Sequence, residues 1–329
     1  MNTAGIEDAW EWSDPLGEAL HSLRMSGTFY ASSELSSPWA MALPAMTNCL
    51  MFHVVTEGVC RIESEEIGVR KLSAGDFALI PHGRGHQLKS RSQVPVVDLF
   101  DLPRERMSPR YERIKFGGGG AACRLICGAV SMDDPIAQCL IEGLPEVLVM
   151  RADTPANEWL MGMVRLMMVE AREMRAGGDT IITRVSDILV VQAIRHWLEN
   201  DPLAHAGWLG ALRDRRIGRA VALIHRHPSR SWSVQELAEN VGLSRSAFSS
   251  RFTSLVGETP MRYLRQWRFR VATNWLRESD RPLAEIAAQL DYQSEAAFNR
   301  AFKAFTGQTP GKVRRERYQS QVGPVDLPL

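Results

Sequence analysis

The sequence predicts a two-domain protein: an N-terminal β-barrel followed by a helical pair, then a C-terminal all-α domain with two helix-turn-helix units. Three observations predict it. Residues 26–130 run as short apolar stretches punctuated by glycine turns. A segment of the C-terminal part occurs twice, at an offset of 50 residues. The charge is divided: residues 207–329 hold 20 Lys+Arg against 11 Asp+Glu (+9), and residues 1–206 hold 19 against 27 (−8), within a total of +1.

With 329 residues, 45% hydrophobic and 23% charged, the chain has the material for two ordinary globular cores. The expected division is a β-barrel domain at 1–150, a helical pair and linker at 151–206, a helical domain at 207–320 and a tail at 321–329. No run approaches the roughly 18 apolar residues of a membrane span. The N-terminus, MNTAGIEDAWEW, is acidic and does not read as a signal peptide. Five cysteines argue against a secreted disulfide scaffold. A soluble cytoplasmic protein, away from membranes, is expected.

In the first domain, LMFHVVTEGVCRIES (50–64) reads as a strand, a glycine bend and a second strand. Ala74-Gly75-Asp76 makes a tight turn, FALI a buried strand, and Pro81-His82-Gly83 another turn. The GGGG at 117–120 reads as a flexible loop and CRLICGAV (123–130) as an apolar strand. Many short strands with glycine turns suggest a closed sandwich or barrel. Gly75 to His86 spells G-x5-P-x-G-x2-H, which resembles the second motif of the cupin family. The first cupin motif, which supplies two histidines and a glutamate, is not intact: residues 1–150 hold no H-x-H, and Met51 stands where the glutamate would fall.

Another metal site remains open. His86 occupies the cupin metal-histidine position, and His53 shares a strand face with Met51 and Val55, expected to point inward. Cys60, Cys123 and Cys127 supply thiols, the last two on one side of a strand. His53, Cys60, His86 and Cys127 are thus candidate ligands, and a His/Cys mixture suits zinc. The alternative is that the histidines are hydrogen-bonded core residues and the cysteines small buried hydrophobes. His82 is expected to be exposed, and Cys49 and Cys139 to serve packing. No enzyme is expected: the chain lacks an open 2-His-1-carboxylate or three-His set, a phosphate loop, G-x-S-x-G and H-E-x-x-H.

Two helices follow. Residues 156–175 carry Trp159, Leu160, Met163, Leu166, Met167 and Val169; after the turn Gly177-Gly178, a second helix capped by Asp179 or Thr180 runs to Asn200. Both are apolar around more than one stripe, so each buries more than one face, on the barrel or on a second copy. DPLAHAGW (201–208) is the expected linker.

The repeat comes next. SRSAFSSRFTSLVGETP (244–260) and SEAAFNRAFKAFTGQTP (294–310) share seven identities in 17 positions without gaps. Upstream, ELAENVG (236–242) matches EIAAQLD (285–291) at an offset of 49. Ser233 and Pro282 mark helix starts, as a cap and a first-turn proline. Gly242 and Asp291-Tyr292 mark turns, and Ser244 and Ser294 cap second helices. Phe248 with Phe252, and Phe298 with Phe302, stand four apart and share a buried face. The opposite faces carry Arg245, Ser246, Ser249 and Ser250, then Glu295, Ala296, Asn299 and Arg300. Residues 260–279 read as one long helix joining the units.

On these motifs, with the opening helix IGRAVALIHRHP, residues 214–318 resemble the DNA-binding domain of AraC/XylS-type transcription regulators, and the barrel stretch resembles the cupin sensor attached to one branch of them. The resemblance implies seven helices, recognition helices in successive major grooves, dimerisation, promoter DNA as partner and contact with RNA polymerase. It places base-facing positions at Ser246, Ser249 and Ser250, then Glu295, Ala296, Asn299 and Arg300. Arg300 suits guanine, Asn299 adenine and Glu295 cytosine N4. The first helix offers serines that pair with several bases, so its contribution is expected mostly from phosphate contacts by Arg245 or Arg251. The expected function is a sequence-specific, small-molecule-responsive transcription regulator, an activator acting as a dimer. The alternative is a metal- or redox-responsive regulator whose barrel binds zinc as sensor or structural ion.

Overall fold

The computed structural model describes residues 17, 26–46, 49–131, 135–173, 175–201, 204 and 207–315. They fall into two compact units, one holding the strands and the helical pair to Asn200, the other the helices from Asp201 on. The tail at 321–329 lies outside the described residues.

The first unit contains strands β1 (Ser26–Ser36), β2 (Ala40–Leu43), β3 (Cys49–Glu57), β4 (Val59–Ser64), β5 (Gly68–Ser73), β6 (Phe77–Ile80), β7 (His86–Lys89), β8 (Val97–Asp98), β9 (Arg104–Ser108), β10 (Tyr111–Gly117), β11 (Ala122–Ser131) and β12 (Leu148–Met150). They build two sheets: seven strands in the order β12-β6-β3-β11-β1-β10-β9, and five in the order β5-β4-β7-β2-β8. The expected closed wall is therefore a two-sheet sandwich. Its core draws on both sheets: Met51, Val55, Cys123, Leu125 and Cys127 from one, Cys60, Ile62, Leu72 and Leu88 from the other.

The predicted strands and turns occur. Gly58, at φ 80°, makes the bend between β3 and β4. Gly75, at φ 91°, is confined twice over: besides the left-handed backbone, an added Cβ would run into the Met161 sulfur and stand 2.6 Å from Ala152 Cβ. Next to it, buried Asp76 accepts hydrogen bonds from Ser73 N (2.9 Å), Ala152 N (3.0 Å) and Arg151 Nη1 (2.8 Å). The motif's first half thus ties the turn to the segment entering the helical pair. The GGGG segment closes the β10–β11 connection, with Gly118 N and Gly120 N donating to Ser36 O and Ser37 O at 2.8 Å each.

Helix α1 (Pro135–Glu142) lies between β11 and β12 in the chain, and neither it nor β12 was expected. The helical pair is α2 (Glu158–Glu173) and α3 (Gly178–Asn200), separated by Gly177 at φ 82°. α3 thus begins at Gly178, one residue before the expected caps. The pair packs on the outer face of the larger sheet, α2 on β3 and β11, α3 on β6 and β12. That explains why β3 is apolar on both faces around His53: Met51 and Val55 face the sandwich core while Leu50, Phe52 and Val54 are buried beneath the helices. Leu160, Val164 and Met167 are buried, whereas Leu166 (39%), Val169 (44%), Ile181 (37%) and Ile188 (47%) stay exposed in the single chain.

The second unit contains α4 (Gly207–Ala211), α5 (Arg215–Arg226), α6 (Val234–Asn240), α7 (Arg245–Val256), α8 (Pro260–Glu278), α9 (Leu283–Gln289) and α10 (Glu295–Thr306), with residues 310–315 helical beyond them. α4 begins inside the stretch expected as linker, because Leu209, Ala211 and Leu212 are buried and hold it against α7. From α5 on, six helices and the terminal helical stretch match the seven expected. Tyr263, Leu264, Trp267, Val271 and Leu276 of α8 are buried, as its periodicity predicts.

Candidate functional site

Each helix-turn-helix unit is built on a buried aromatic pair. Phe248 and Phe252 stand 5.5 Å apart, and Phe252 packs on Tyr263 of α8; Phe298 and Phe302, also 5.5 Å apart, both pack on Phe269. These contacts fix which face of α7 and α10 turns outward. Ser233 forms a capping box with Glu236 at the start of α6. Pro282 is itself the N-cap residue of α9, not a first-turn residue, and makes no side-chain cap. Gly242 and Asp291 take the same left-handed turn, at φ 65° and 66°. Ser244 and Ser294 cap α7 and α10 by accepting from Ala247 N and Ala297 N at 3.2 Å each. Gly257 and Gly307 end these helices at φ 90° and 74°.

The predicted readers then present themselves. Arg245, Ser246 and Ser250 of α7, and Glu295, Ala296 and Arg300 of α10, are exposed, while Ser249 and Asn299 are half-buried. Arg245 and Arg300 make no hydrogen bond or ion pair among the described residues. Arg251 is also exposed but engaged: its Nε donates to Asp214 Oδ2 at 2.8 Å. Asp214 also caps α5, accepting from Arg216 N and Ile217 N at 3.0 Å. Arg251 thus joins the first unit to the opening helix, a contact that sequence spacing does not reveal.

At the barrel centre, His53, His86 and Cys127 come together and Cys60 does not join them. His86 Nδ1 lies 2.9 Å from Arg84 O, which can only accept, so Nδ1 carries the proton. Burial pushes His86 below the ordinary histidine value. Burial, followed by proximity to His86, pushes His53 well below it. Both rings are therefore neutral, and the proton positions follow in sequence. His86 Nε2 is bare and accepts from His53 Nε2–H at 2.7 Å; His53 Nδ1 is then bare and accepts from Cys127 S–H at 3.0 Å. Burial also pushes the Cys127 thiol up and keeps its proton. Cys60 instead meets Cys123: their hydrogen bond, then burial, raises the Cys60 thiol.

A zinc ion shared by two imidazoles would hold their nitrogens roughly 3.3 Å apart, and Cys127 sits at the wrong nitrogen of His53 to reach the same ion. Among the described residues no group of three or more His, Cys, Asp and Glu side chains is placed to hold a metal ion. His82 is half-buried, its Nε2 donating to Leu144 O at 2.9 Å, because the turn after FALI folds back onto the segment following α1. Cys49 is intermediate in exposure; the Cys139 side chain lies outside the described residues.

Comparison with known proteins agrees with the two-unit layout. Residues 14–199 match the family model described as cupin, and residues 237–316 one described as a helix-turn-helix domain. An AraC-like transcription regulator of Streptomyces lividans is 31% identical over 303 residues, covering 92% of this chain and 98% of that one. This chain belongs to the AraC family of transcription regulators. A second AraC-like regulator, of Streptomyces antibioticus, is 30% identical over 307 residues, 92% of this chain and 98% of that one. The HTH-type transcriptional regulator AlkR of Acinetobacter baylyi is 27% identical over 308 residues, 92% and 99% respectively. As an AraC-family regulator the chain binds DNA, and α6–α7 with α9–α10 are its two helix-turn-helix units. No described helix is long and apolar enough to cross a membrane.

Proposed function

We propose that this AraC-family protein is a cytoplasmic, small-molecule-responsive activator that binds promoter DNA as a dimer and works with RNA polymerase there. Two outward helix faces, each capped by a serine and fixed by a buried phenylalanine pair, carry the DNA-reading part of the proposal. Arg300, Asn299 and Glu295 supply base readout from α10. Arg245 anchors α7 to phosphate, with Ser246, Ser249 and Ser250 giving weaker discrimination, and Ala296 leaves room for a base methyl group. Arg251 contributes mainly by holding the opening helix through Asp214. The exposed Leu166, Val169, Ile181 and Ile188 support the helical pair as the dimer surface.

Selection of bound sequences from a random DNA pool, at about 0.15 M salt where nonspecific phosphate binding is weakened, tests the reading. The expected result is a site with two sub-elements about 10 bp apart, repeated as half-sites. Failure of both the full chain and residues 207–329 to select a motif would overturn it.

A second reading, a metal- or redox-responsive barrel, is supported by the placement of His53, His86 and Cys127 on one hydrogen-bonded chain beside the Cys60–Cys123 contact. A zinc ion would require His53 to change tautomer and the rings to move apart. Elemental analysis of protein purified without chelator tests this reading, and a zinc content near zero would sink its metal form.

A further inference from the structure

The larger sheet carries a cavity on its outer face, away from the barrel centre. It lies beneath α2 and measures about 350 Å³, within the range of small-ligand sites. Strand pairing builds its floor. Ala31, Ser33 and Leu35 of β1 are buried toward the core, so Ser32 and Glu34 take the other face. In register, Ser32 lies between Arg113 of β10 and Ile126 of β11, and Glu34 lies between Lys115 and Arg124. Helix α2 forms the roof with Met168 and Arg172, pinned by the Tyr111 hydroxyl donating to Ala171 O at 3.1 Å.

The lining is short of negative charge. Arg113, Arg124 and Arg172 line the cavity with a single carboxylate, Glu34. Arg113 reaches Glu105 at 3.5 Å, Arg124 pairs with Glu57, and Glu34 pairs with Lys115 at 3.5 Å. Counting those partners gives four positive charges (Arg113, Arg124, Arg172, Lys115) against three negative (Glu34, Glu57, Glu105), an excess of one. Arg172 makes no hydrogen bond or ion pair among the described residues. A guanidinium beside a cavity with one missing anion is suited to a carboxylate, which it takes in two parallel hydrogen bonds. Glu34 disfavours a second negative charge there, so a phosphate dianion fits less well.

We propose that this cavity binds a small organic carboxylate, whose carboxyl group is taken by Arg172 with Arg124 or Arg113 and whose apolar body rests on Ile126 and Met168. It is the effector site of the small-molecule-responsive reading, on which this role rests. A ligand bridging sheet and α2 makes contacts that vanish if α2 shifts, so it favours one placement of the helical pair. That differential contact is what coupling to the dimer surface requires.

The test is thermal shift and calorimetric titration of the full chain with hexanoate, 3-phenylpropionate, 4-hydroxyphenylacetate and phenylalanine, each beside its neutral amide, and with inorganic phosphate. At least one acid is expected to raise the melting temperature while its amide does not. Arg172→Gln is expected to weaken that acid by about tenfold or more, the loss of a charge-assisted bidentate pair. Arg172 is exposed and makes no hydrogen bond or ion pair among the described residues, so R172Q is expected to melt like the wild type without ligand, and the exposed Arg91→Gln to bind the acid normally. The site is overturned if no acid shifts melting at up to about 5 mM, the weak end of specific binding. It is also overturned if R172Q binds as the wild type does, or if phosphate binds better than every acid. Affinity for the selected DNA, measured in the same samples, separates the two readings. An acid bound through Arg172 that leaves DNA affinity unchanged sinks the effector role and keeps the site. A DNA response that survives in R172Q sinks the site and keeps effector control.

Discussion

Asp291 and Gly242 occupy the same turn of the two helix-turn-helix units, and both sit near φ 65°. Glycine enters that region freely, whereas for most side chains it costs about 1–2 kcal/mol. Aspartate is among the few residues that tolerate it, and Arg268 Nη2 donates to its Oδ2 at 3.2 Å. Asp291→Val should therefore cost about 1–2 kcal/mol, and Asp291→Gly much less, read from urea midpoints. DNA recognition is also decided at this scale. Arg300→Ala should relax base preference at one position by about 1–3 kcal/mol. Ser249→Ala should change it less, since a half-buried hydroxyl pairs with several bases. Selections on both variants give the comparison, and a larger effect from S249A would invalidate the assignment of readers.

The helical pair is legible as two amphipathic elements, but its partner is not. Leu160, Val164 and Met167 face the sheet, while Val169 and Ile188 remain 44% and 47% exposed. If those residues meet a second copy, Val169→Glu with Ile188→Glu should yield monomers in sedimentation velocity without lowering the melting temperature of the unit. Persistence of the dimer would place its interface elsewhere. The first helix-turn-helix unit depends on Phe252, buried between Phe248 and Tyr263. Phe252→Ala should cost about 3–5 kcal/mol, and heparin and DNA affinity should fall with it.

Acid should weaken both units of the molecule. Burial holds His53 and His86 below the ordinary histidine value of 6.5, and holds His225, stacked 3.8 Å from the Trp267 ring, down to about 3. The folded chain keeps these rings neutral while the unfolded chain takes up protons below 6.5. Stability is therefore at its full value above that pH and falls as pH drops from about 6.5 toward 3. Melting temperatures at pH 7.5 and pH 5 should differ accordingly; identical values would contradict the neutral His53–His86 pair. The charge split also acts at this scale. Excess arginine in residues 207–329 should give DNA affinity a steep salt dependence, about 0.9 in logarithmic slope per phosphate neutralised.

Much of the protein follows from local rules that act within one element. The internal repeat, the serine caps, the glycine and aspartate turns and the paired phenylalanines specify two helix-turn-helix units, because each signal acts over three or four residues. Alternation and glycine turns likewise specify the strands and place the turn at Gly75, although the partners that hold it, Arg151 and Ala152, come from about 75 residues away. What pairs with what across the chain was decided by tertiary structure. Arg251 and Asp214 are 37 residues apart, and Cys60 joins Cys123 while Cys127 joins His53. The arginine-lined cavity collects Arg113, Arg124 and Arg172 from two strands and a helix. No periodicity links such residues. Sheet order and the seat of α2 bring them together, and these are set by the whole core's need to bury both faces of β3.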